Sequence, residues 1–355
     1  MTAIPSTRHD THRTACVSTM GALVNPRDES RLVVRARLAL VRIDWHIQIR
    51  VGMKYLSKIW LDGETRPWDA GMVHITDLGL PFAQFVFEGV KAYRSEDGHL
   101  NLFRVAEHMQ RFTESCRFNR LDCRYTPDEL VDAAIAMLRA NTVQDDVHLR
   151  PMAYFSGGEL RSRPAEMETH VLMSADLFRS ELPELKPVAV CVSSWRRPDD
   201  ASVPMRVKTA ANYHNSRLAL TQANTDGYDF PILLNSKGTV AESSGACIFV
   251  RRKNVLLTPP VGAGILESIT RSTLIELARA EGFEVQEREV DRSELYLCEE
   301  AFLCGTGAEV KPITSIDRFE LGGGQIGPMT QRLADRYCAC VRNADSARSS
   351  WLTPV

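Results

Sequence analysis

Lys208 is the side chain of this sequence whose surroundings best suit covalent chemistry. Val207 precedes it and the small residues Thr209 and Ala210 follow it, where a strand pattern changes to a helical pattern near Asn212. A solvated surface lysine would carry charge and little else. A lysine whose stem is held by apolar and small neighbours is partly desolvated, and such an amine can attack carbonyl carbon. Lys208 is therefore the candidate nucleophile.

Glu242 is the second candidate, and it lies in a series of short strands. Turn signals at residues 235–238 and 251–254 separate segments rich in β-forming residues. Glu242 and the glycine-bearing break at residues 243–245 fall within the middle strand. A carboxylate in an apolar strand is unfavourable unless it has a buried partner. A protonated pyridine nitrogen would be one such partner.

Six short motifs occur along residues 54–341 in an order and spacing that resemble those of a known family. The sequence resembles the fold-type IV, pyridoxal-phosphate-dependent aminotransferases (class IV), and within them it is most similar to the branched-chain amino acid aminotransferases. The motifs are residues 87–93, residues 107–111, Lys208 with Tyr213, Glu242 with Gly245, residues 264–271 and residues 304–309.

The resemblance implies an α+β fold of two domains, as in D-amino acid aminotransferase-like enzymes. A smaller N-terminal α/β domain is expected at residues 53–173. A linker with charged residues and two prolines is placed at residues 174–187. A larger cofactor-binding domain with a β-barrel-like core follows at residues 188–341, and residues 342–355 form a C-terminal tail.

Residues 1–52 differ from the rest of the chain, because they contain arginine but no lysine. Three interpretations compete: a disordered extension, an arginine-rich organelle-targeting segment, and a start codon placed too early. The last is favoured, with Met53 as the initiator, because the family resemblance begins close to that residue. Acidic residues such as Asp10 and Asp28 argue against a transit peptide.

Three segments of the sequence could bind a phosphate. Arg111 leaves a predicted helix at residues 103–119 beside its apolar stripe, and a guanidinium can bind two phosphate oxygens. Ile269 and Thr270 stand at the start of another predicted helix, whose free N–H groups and dipole suit an anion. Thr306 follows a short strand and adds a hydroxyl and an N–H group. The family resemblance unites the three as one phosphate site.

The resemblance also implies roles for individual residues. Lys208 would hold pyridoxal 5'-phosphate covalently and then shuttle a proton between the α-carbon of the amino donor and C4' of the cofactor. Glu242 would keep the pyridine nitrogen protonated, and Tyr213 would donate a hydrogen bond to the phenolic oxygen of the ring. The substrate is expected to contact Phe82, His148, Arg150, Gly245, Gly307 and Ala308.

The resemblance implies transamination of leucine, isoleucine or valine with 2-oxoglutarate, in a homodimer or a higher homo-oligomer. Three positions depart from the branched-chain pattern: Phe82 and His148 replace tyrosines, and Cys247 replaces an asparagine. Losing hydroxyl donors reduces discrimination for a carboxylate, so a specialised biosynthetic amino acid or amine is an alternative donor. D-amino acid or (R)-amine transaminases, aminodeoxychorismate lyase-type enzymes and a catalytically inactive scaffold are further alternatives.

Length and composition restrict the class of protein. The 355 residues are 44% hydrophobic and 25% charged, which suffices for two packed domains. A formal net charge of −2 gives no basic field for nucleic acid or an anionic membrane. No apolar run has the length of a bilayer span. The nine cysteines are scattered and are expected to be reduced thiols, which favours a cytoplasmic location.

Two further motifs are expected to be unrelated to function. Cys338 and Cys340 are two residues apart on a predicted helix and point in different directions, so no metal site is expected there. Residues 322–327 match the pattern G-x-G-x-x-G of dinucleotide-binding proteins. They lack a preceding strand of a βαβ unit, and Pro328 instead marks the start of a helix.

Overall fold

The computed structural model describes residues 55–75, 77, 79–80, 82–157 and 162–355. The expectation for residues 1–52 lies outside these ranges. In the described part of the chain, none of the helices has both the length and the apolar content needed to cross a bilayer. The same residues contain no cluster of three or more His, Cys, Asp or Glu side chains suited to a metal ion.

The first of two sheets, here called the N-terminal sheet, has the strand order β17-β5-β4-β6-β7-β1-β2, and β3 is added to β6. All of its strand pairs are antiparallel. Its strands are β1 (Lys58–Leu61), β2 (Glu64–Pro67), β3 (Phe85–Phe87), β4 (Val90–Arg94), β5 (Leu100–Phe103), β6 (Val147–Ser156), β7 (Glu168–Leu177) and β17 (Leu352–Pro354).

The first two strands form a hairpin. Strands β1 and β2 are joined by Asp62 and Gly63, whose φ angles of +49° and +98° are both positive. Such a two-residue turn matches the twist of the flanking strands, and Asp-Gly is a preferred sequence for it. The pairing of Leu61 with Glu64 follows directly from this turn.

Strands β6 and β7 form the longest pair of the N-terminal sheet. Along β6 every second residue is buried, from Val147 to Phe155, because side chains alternate between the two faces of a strand. Strand β7 continues to Leu177, which pairs with Val147. Strand β7 therefore extends four residues into the segment predicted as a linker, because residues 147–150 of β6 pair with residues 174–177.

Two helices cover this sheet. They are α1 (Val105–Phe118), which was predicted at residues 103–119, and α2 (Pro127–Ala140). Helix α2 begins with a capping box, in which Thr126 accepts from the N–H of Glu129 and the Glu129 side chain accepts from Thr126. Met109 and Phe112 of α1 are fully buried in the apolar core under the sheet.

The second sheet, here called the C-terminal sheet, has the strand order β10-β9-β8-β15-β14-β11-β12-β13, with β16 added to β15. Helices α4 and α5 pack on one apolar cluster of this part of the chain. The elements are β8 (Val188–Arg196), α3 (Ala211–Thr225), β9 (Phe230–Leu234), β10 (Val240–Ser243), β11 (Cys247–Arg252), β12 (Val255–Thr258), α4 (Ile269–Ala280), β13 (Glu284–Glu287), β14 (Glu300–Gly305), β15 (Glu309–Ile316), β16 (Phe319–Glu320) and α5 (Pro328–Val341).

The glycine-rich run at residues 322–327 has a structural explanation. The buried carboxylate of Glu300 accepts from the N–H groups of Met329 at 3.3 Å and Thr330 at 2.8 Å, at the start of α5. A Cβ atom at Gly327 would lie 2.2 Å from Oε2 of Glu300. Glycine is needed there because the carboxylate packs against the backbone, and the dinucleotide interpretation gains no support.

The C-terminal residues return to the N-terminal sheet. After α5 the chain continues past residue 342, and strand β17 pairs with β5, with Leu352 opposite Phe103. Phe103 also packs edge to face against Tyr337 of α5 at 5.5 Å between ring centres. The segment predicted as a tail therefore contributes an edge strand.

Candidate active site

One cavity of about 200 Å³ is lined by residues of both sheets. Its wall contains the largest group of the residues selected from the sequence. They are Arg111, His148, Arg150, Lys208, Tyr213, Glu242, Gly245, Cys247, Thr306 and Gly307. The described lining reaches Ser268 but does not include Phe82, Ile269, Thr270 or Ala308.

The main chain around Lys208 is tied to strand β3 and helix α1. The N–H of Phe87 donates to the carbonyl of Lys208 at 3.2 Å, and the N–H of Ala210 donates to the carbonyl of Phe85 at 3.0 Å. The N–H of Lys208 donates to Oγ of Ser115 at 3.2 Å. Lys208 is thus fixed at the junction of the two sheets, just before α3 begins.

The amine of Lys208 enters the cavity over aromatic surface. Its Nζ lies 2.8 Å from Oη of Tyr213 and 4.9 Å from the ring centre of Phe87. The two aromatic rings pack edge to face at 4.8 Å. This arrangement gives the amine one hydroxyl partner and shields it from water on the aromatic side.

Glu242 lies buried in β10 and is paired with Arg197. The Nη2 atom of Arg197 is 2.6 Å from Oε1 of Glu242, and both side chains are about 95% buried. Arg197 also donates to Oγ of Ser216 at 3.0 Å and to the carbonyl of Gly264 at 3.2 Å. Sequence reasoning missed Arg197. The sequence feature that could have drawn attention to it is its position directly after strand β8 and before Pro198.

The environment of Glu242 favours a positively charged partner. Burial raises the pKa of this carboxyl group, and the charge of Arg197 opposes that rise. Oε2 faces weaker donors, namely the N–H of Leu266 at 3.4 Å and Sγ of Cys247 at 3.8 Å. Burial also raises the pKa of the Cys247 thiol, so Cys247 is a neutral neighbour of Glu242.

The turn between β10 and β11 brings Gly245 against the loop after β14. Gly245 has φ +139°, a conformation that side chains disfavour. A Cβ atom at Gly305 would lie 3.2 Å from the carbonyl of Gly245. The close approach of these two backbones places Gly245, Thr306 and Gly307 on one wall of the cavity.

Arg111 lies beside the N-terminus of α4. Its Nη1 donates to the carbonyl of Glu267 at 2.6 Å, one residue before the N-cap Ser268. Ile269 and Thr270 occupy the first two positions of α4, where backbone N–H groups have no partner within the helix. A guanidinium and a helix N-terminus therefore converge, and both attract anions.

Glu88 and His108 hold Arg111 in place, and sequence reasoning used them only as family motifs. Arg111 donates to Glu88 through Nε at 2.6 Å and Nη2 at 3.0 Å. Nδ1 of His108 lies 2.8 Å from the same carboxylate. Although burial opposes ionisation of Glu88, the charge of Arg111 and the contact with His108 hold its pKa well below the usual range.

The remaining residues expected to contact substrate are held less firmly. Arg150 pairs with Asp176 at 2.9 Å, and its side chain is 45% exposed. Phe82 is 51% exposed. Nε2 of His148 is buried without a hydrogen-bond partner in the described residues, and it would lie 2.6 Å from a Cβ atom at Gly89.

The pKa of His148 is lowered to about 3, first by burial and then by nearby positive charges, of which Arg150 is the largest contributor. His148 is therefore neutral at physiological pH.

A family model described as "Amino-transferase class IV" matches residues 85–316. The match covers most strands of both sheets and every residue that lines the cavity. The chain belongs to the class IV aminotransferases, whose members depend on pyridoxal 5'-phosphate. The fold is that of fold-type IV enzymes, with a curled half-barrel sheet, as expected from the sequence motifs.

Named relatives are similar to the chain over most of its length. A probable branched-chain-amino-acid aminotransferase of Aquifex aeolicus is 38% identical over 83% of this chain and 96% of its own length. The branched-chain-amino-acid aminotransferase of Escherichia coli K12 is 32% identical, covering 85% and 98%. The crystal structure of the Thermobaculum terrenum enzyme in its PLP form is 41% identical, covers 85% and 99%, and has a TM-score of 0.81.

The donors around the cavity fit the parts of pyridoxal 5'-phosphate. Arg111, the N-terminus of α4 and Thr306 offer positive charge and hydrogen-bond donors for a phosphate. Glu242 offers a buried carboxylate for a protonated ring nitrogen, and Tyr213 offers a hydroxyl for a ring oxygen. Lys208 offers an amine for the aldehyde, since it lies in the same cavity. The residues present therefore suit the cofactor of this family.

Proposed function

We propose that the protein transaminates branched-chain L-amino acids with 2-oxoglutarate. The observation that carries the proposal is the single cavity in which the Lys208–Tyr213 pair, the Glu242–Arg197 pair and the Arg111 site meet. Relatives that align with this chain over nearly their whole length are named branched-chain-amino-acid aminotransferases. Their names support the choice of substrate.

Each cavity residue has a chemical task in this proposal. Bound pyridoxal 5'-phosphate supplies an electron sink for the negative charge that develops at the α-carbon of the amino donor. Lys208 anchors the cofactor, and its Nζ then accepts the proton from that α-carbon. Glu242 holds a proton at the ring nitrogen, and Arg197 keeps the Glu242 carboxylate in position. Tyr213 orients the Lys208 amine through their 2.8 Å hydrogen bond.

Binding of the phosphate and the substrate carboxylate falls to backbone and basic groups. Arg111, Ile269, Thr270 and Thr306 are proposed to bind the phosphate. Substrate contacts are assigned to His148, Arg150, Gly245 and Gly307, which line the cavity, and to Phe82 and Ala308, which lie outside its described lining.

A second candidate is transamination of a specialised amino acid. The observation that favours it is the buried Nε2 of His148, which has no partner in the described residues and belongs to a side chain that lines the cavity. Such a group stabilises a ligand that can hydrogen-bond to it and rejects one that cannot. A donor with a polar side-chain group would satisfy this atom, whereas leucine would not.

We further propose a cytoplasmic homodimer. Large apolar side chains near residues 72–82 are strongly exposed, including Met72 at 70% and Ile75 at 74%. Exposed apolar patches mark interaction surfaces, and a second copy of the chain would cover this one. The eight cysteines in the described residues are free thiols, which suits a reducing compartment.

A single-turnover scan of amino donors tests the proposed function. Loss of the visible absorption of the bound cofactor is followed with L-leucine, L-isoleucine, L-valine, D-alanine, L-glutamate and an (R)-amine. We expect fast loss with the branched L-amino acids and with L-glutamate. Lys208→Ala is expected to slow the reaction by about 10⁴-fold or more, since it removes both the anchor and the base. Lys237→Ala, at a lysine whose side chain is 69% exposed, is the matched control.

Three results would contradict these assignments. Fast loss with D-alanine or the (R)-amine, but not with the branched L-acids, would assign the protein to another branch of the family. Loss with none of these donors, in protein that binds the cofactor through Lys208, would favour the specialised donor. Wild-type rates in Lys208→Ala would remove Lys208 from the mechanism.

A further inference from the structure

Glu309 is a buried carboxylate at the first residue of β15, just outside the cavity. It is 3% exposed, and its φ of +55° lies in a region that is uncommon for residues with a side chain. Its carboxylate accepts from Oη of Tyr93 at 2.9 Å, from Oγ of Ser180 at 3.0 Å and from the N–H of Glu181 at 3.0 Å. Nζ of Lys91 lies 3.2 Å away. Glu309 thus joins β4, β15 and the segment after β7.

Lys91 carries this connection to the wall of the cavity. Its Nζ also donates to the carbonyl of Gly307 at 3.4 Å. Gly307 is the middle of a three-residue turn, residues 306–308, between the paired residues Gly305 and Glu309. Because the Lys91 side chain is only 6% exposed, its charge depends on the Glu309 carboxylate. The ammonium group is thereby fixed beside the turn.

The turn itself has few contacts of its own. Gly307 is exposed, and a Cβ atom placed on it would meet no atom within 4 Å. An exposed turn that contains glycine can adopt several conformations, so contacts from neighbouring residues are needed to hold it in one of them. In the described residues, Lys91 contacts the turn through the Gly307 carbonyl, and Glu309 stands at the end of the turn.

A second set of contacts leads from Glu309 to the start of α4. Tyr93 and Tyr337 are both at most 1% exposed. The side chains of Tyr93 and Thr270 both influence the pKa of the Tyr337 hydroxyl, so the three groups are neighbours. Thr270 is the second residue of α4. The network around Glu309 therefore reaches both backbone segments to which phosphate binding is assigned.

We propose that Glu309 is a positioning residue that, with Lys91 and Tyr93, holds turn 306–308 in the conformation that binds the substrate carboxylate and the cofactor phosphate. Glu309 acts through the turn and is not among the residues that line the cavity. The inference rests on the proposed function, because that proposal assigns ligand contacts to this turn.

Replacing Glu309 by glutamine tests the proposal with two readouts. We expect Glu309→Gln to raise both the KM for the amino donor and the Kd of pyridoxal 5'-phosphate, measured on apoprotein, by about 10-fold, since small displacements of binding groups have effects of this size. The value of kcat is expected to change by less than about threefold. The reacting groups on Lys208 and Glu242 are untouched.

Glu300→Gln is the matched control for a loss of stability. Glu300 is another buried glutamate, 4% exposed, with an arginine partner and two backbone N–H contacts at the start of α5. Its substitution is expected to lower the unfolding temperature but to leave KM and Kd within twofold of wild type. If Glu309 had a merely structural role, Glu309→Gln would likewise lower the unfolding temperature and leave KM and Kd unchanged.

The double variant Lys91→Met/Glu309→Gln protects the test against misfolding, because it leaves no buried charge unpaired. A raised KM or Kd in a folded single or double variant supports the proposal. Wild-type KM and Kd in either folded variant, or equal increases in Glu300→Gln, would overturn it. Absence of branched-chain activity in the wild type would instead refute the proposed function, and the cofactor Kd would still test Glu309 because it does not depend on the donor.

Discussion

The two ends of the cavity hold their charged groups differently. At the end proposed to bind the cofactor, here called the cofactor end, Arg197 and Glu242 are 2.6 Å apart and both side chains are about 95% buried. At the end proposed to bind the substrate, here called the substrate end, Arg150 and Asp176 are 2.9 Å apart, but their side chains are 45% and 23% exposed. Similar ion-pair geometry therefore occurs in two very different environments.

This difference separates a rigid end from an adaptable one. Removing one partner of a buried ion pair leaves an uncompensated charge and destabilises a protein by about 3–5 kcal/mol. An exposed pair contributes about 0–1 kcal/mol. The cofactor end therefore tolerates little change, whereas the substrate end can change its residues at low energetic cost. Within one family, the chemistry is then fixed more firmly than the choice of donor.

The largest effect is expected for Arg197→Met, which breaks the pair at the cofactor end. The substitution leaves the Glu242 carboxyl group buried without its cation, so the free energy of unfolding should fall by about 3–5 kcal/mol. Cofactor affinity should fall as well, because Glu242 loses its orientation. Chemical denaturation of the holoenzyme and a cofactor titration measure the two effects.

The neighbouring Arg196 provides the control for that prediction. Its side chain is exposed and donates to the carbonyl groups of residues 235 and 236 at 3.4 Å. Arg196→Met should change the free energy of unfolding by less than about 1 kcal/mol. Equal losses in the two variants would contradict the contrast between the two ends, as would full cofactor affinity in Arg197→Met.

At the rigid end, the sequence pointed only to residues whose immediate neighbours in the chain are unusual. Lys208 and Glu242 stood out because of their immediate neighbours, and the Asp-Gly pair between β1 and β2 is likewise a local signal. Arg197 and Glu309 did not stand out, because their partners lie far away in the chain and meet them only after folding. The same holds for strand β17, whose pairing with β5 depends on a contact between the end of the chain and its first half.

The sequence could not locate the boundaries of the segments accurately, for a related reason. Strand β7 continues past residue 173 because β6, which precedes it in the chain, still offers unpaired residues there. The linker prediction rested on charge and proline content, which do not report strand pairing. Phe82 was grouped with substrate residues through the family resemblance, and in the described cavity its side chain lies outside the lining.

An intermediate effect is expected for His148, and it depends on pH. In the folded protein its pKa is lowered to about 3, while an unfolded chain protonates histidine near about 6.5. Above that pH the group makes no contribution. As pH falls towards 3, the unfolded state gains a proton that the folded state does not, so stability decreases by up to about 1.4 kcal/mol per pH unit.

His148→Gln removes this titration and should flatten the dependence of unfolding free energy on pH. Urea denaturation at pH 6.5, 5.5 and 4.5 compares the slopes of the two proteins. Both proteins retain His108, which is also buried. Only the difference between their slopes is therefore assigned to His148. Identical slopes would show that the site opens to water on acidification and is less rigid than the buried Nε2 indicates.

The smallest effect is expected for Arg150→Met at the substrate end. The exposed pair with Asp176 contributes little, so the free energy of unfolding should change by less than about 1 kcal/mol. Because Arg150 lines the cavity, its guanidinium can also attract the second carboxylate of a dicarboxylic keto acid. The KM for 2-oxoglutarate should therefore rise by about twofold to fivefold, while the KM for leucine, which has no second carboxylate, should stay within twofold.

Asp176→Asn separates the two roles of that guanidinium. It removes the competing carboxylate and keeps Arg150, so the KM for 2-oxoglutarate should remain the same or fall. If both variants instead lost several kcal/mol of stability, the substrate end would be as rigid as the cofactor end. In that case His148, which lies on the same strand as Arg150, would belong to a pocket built for a different donor.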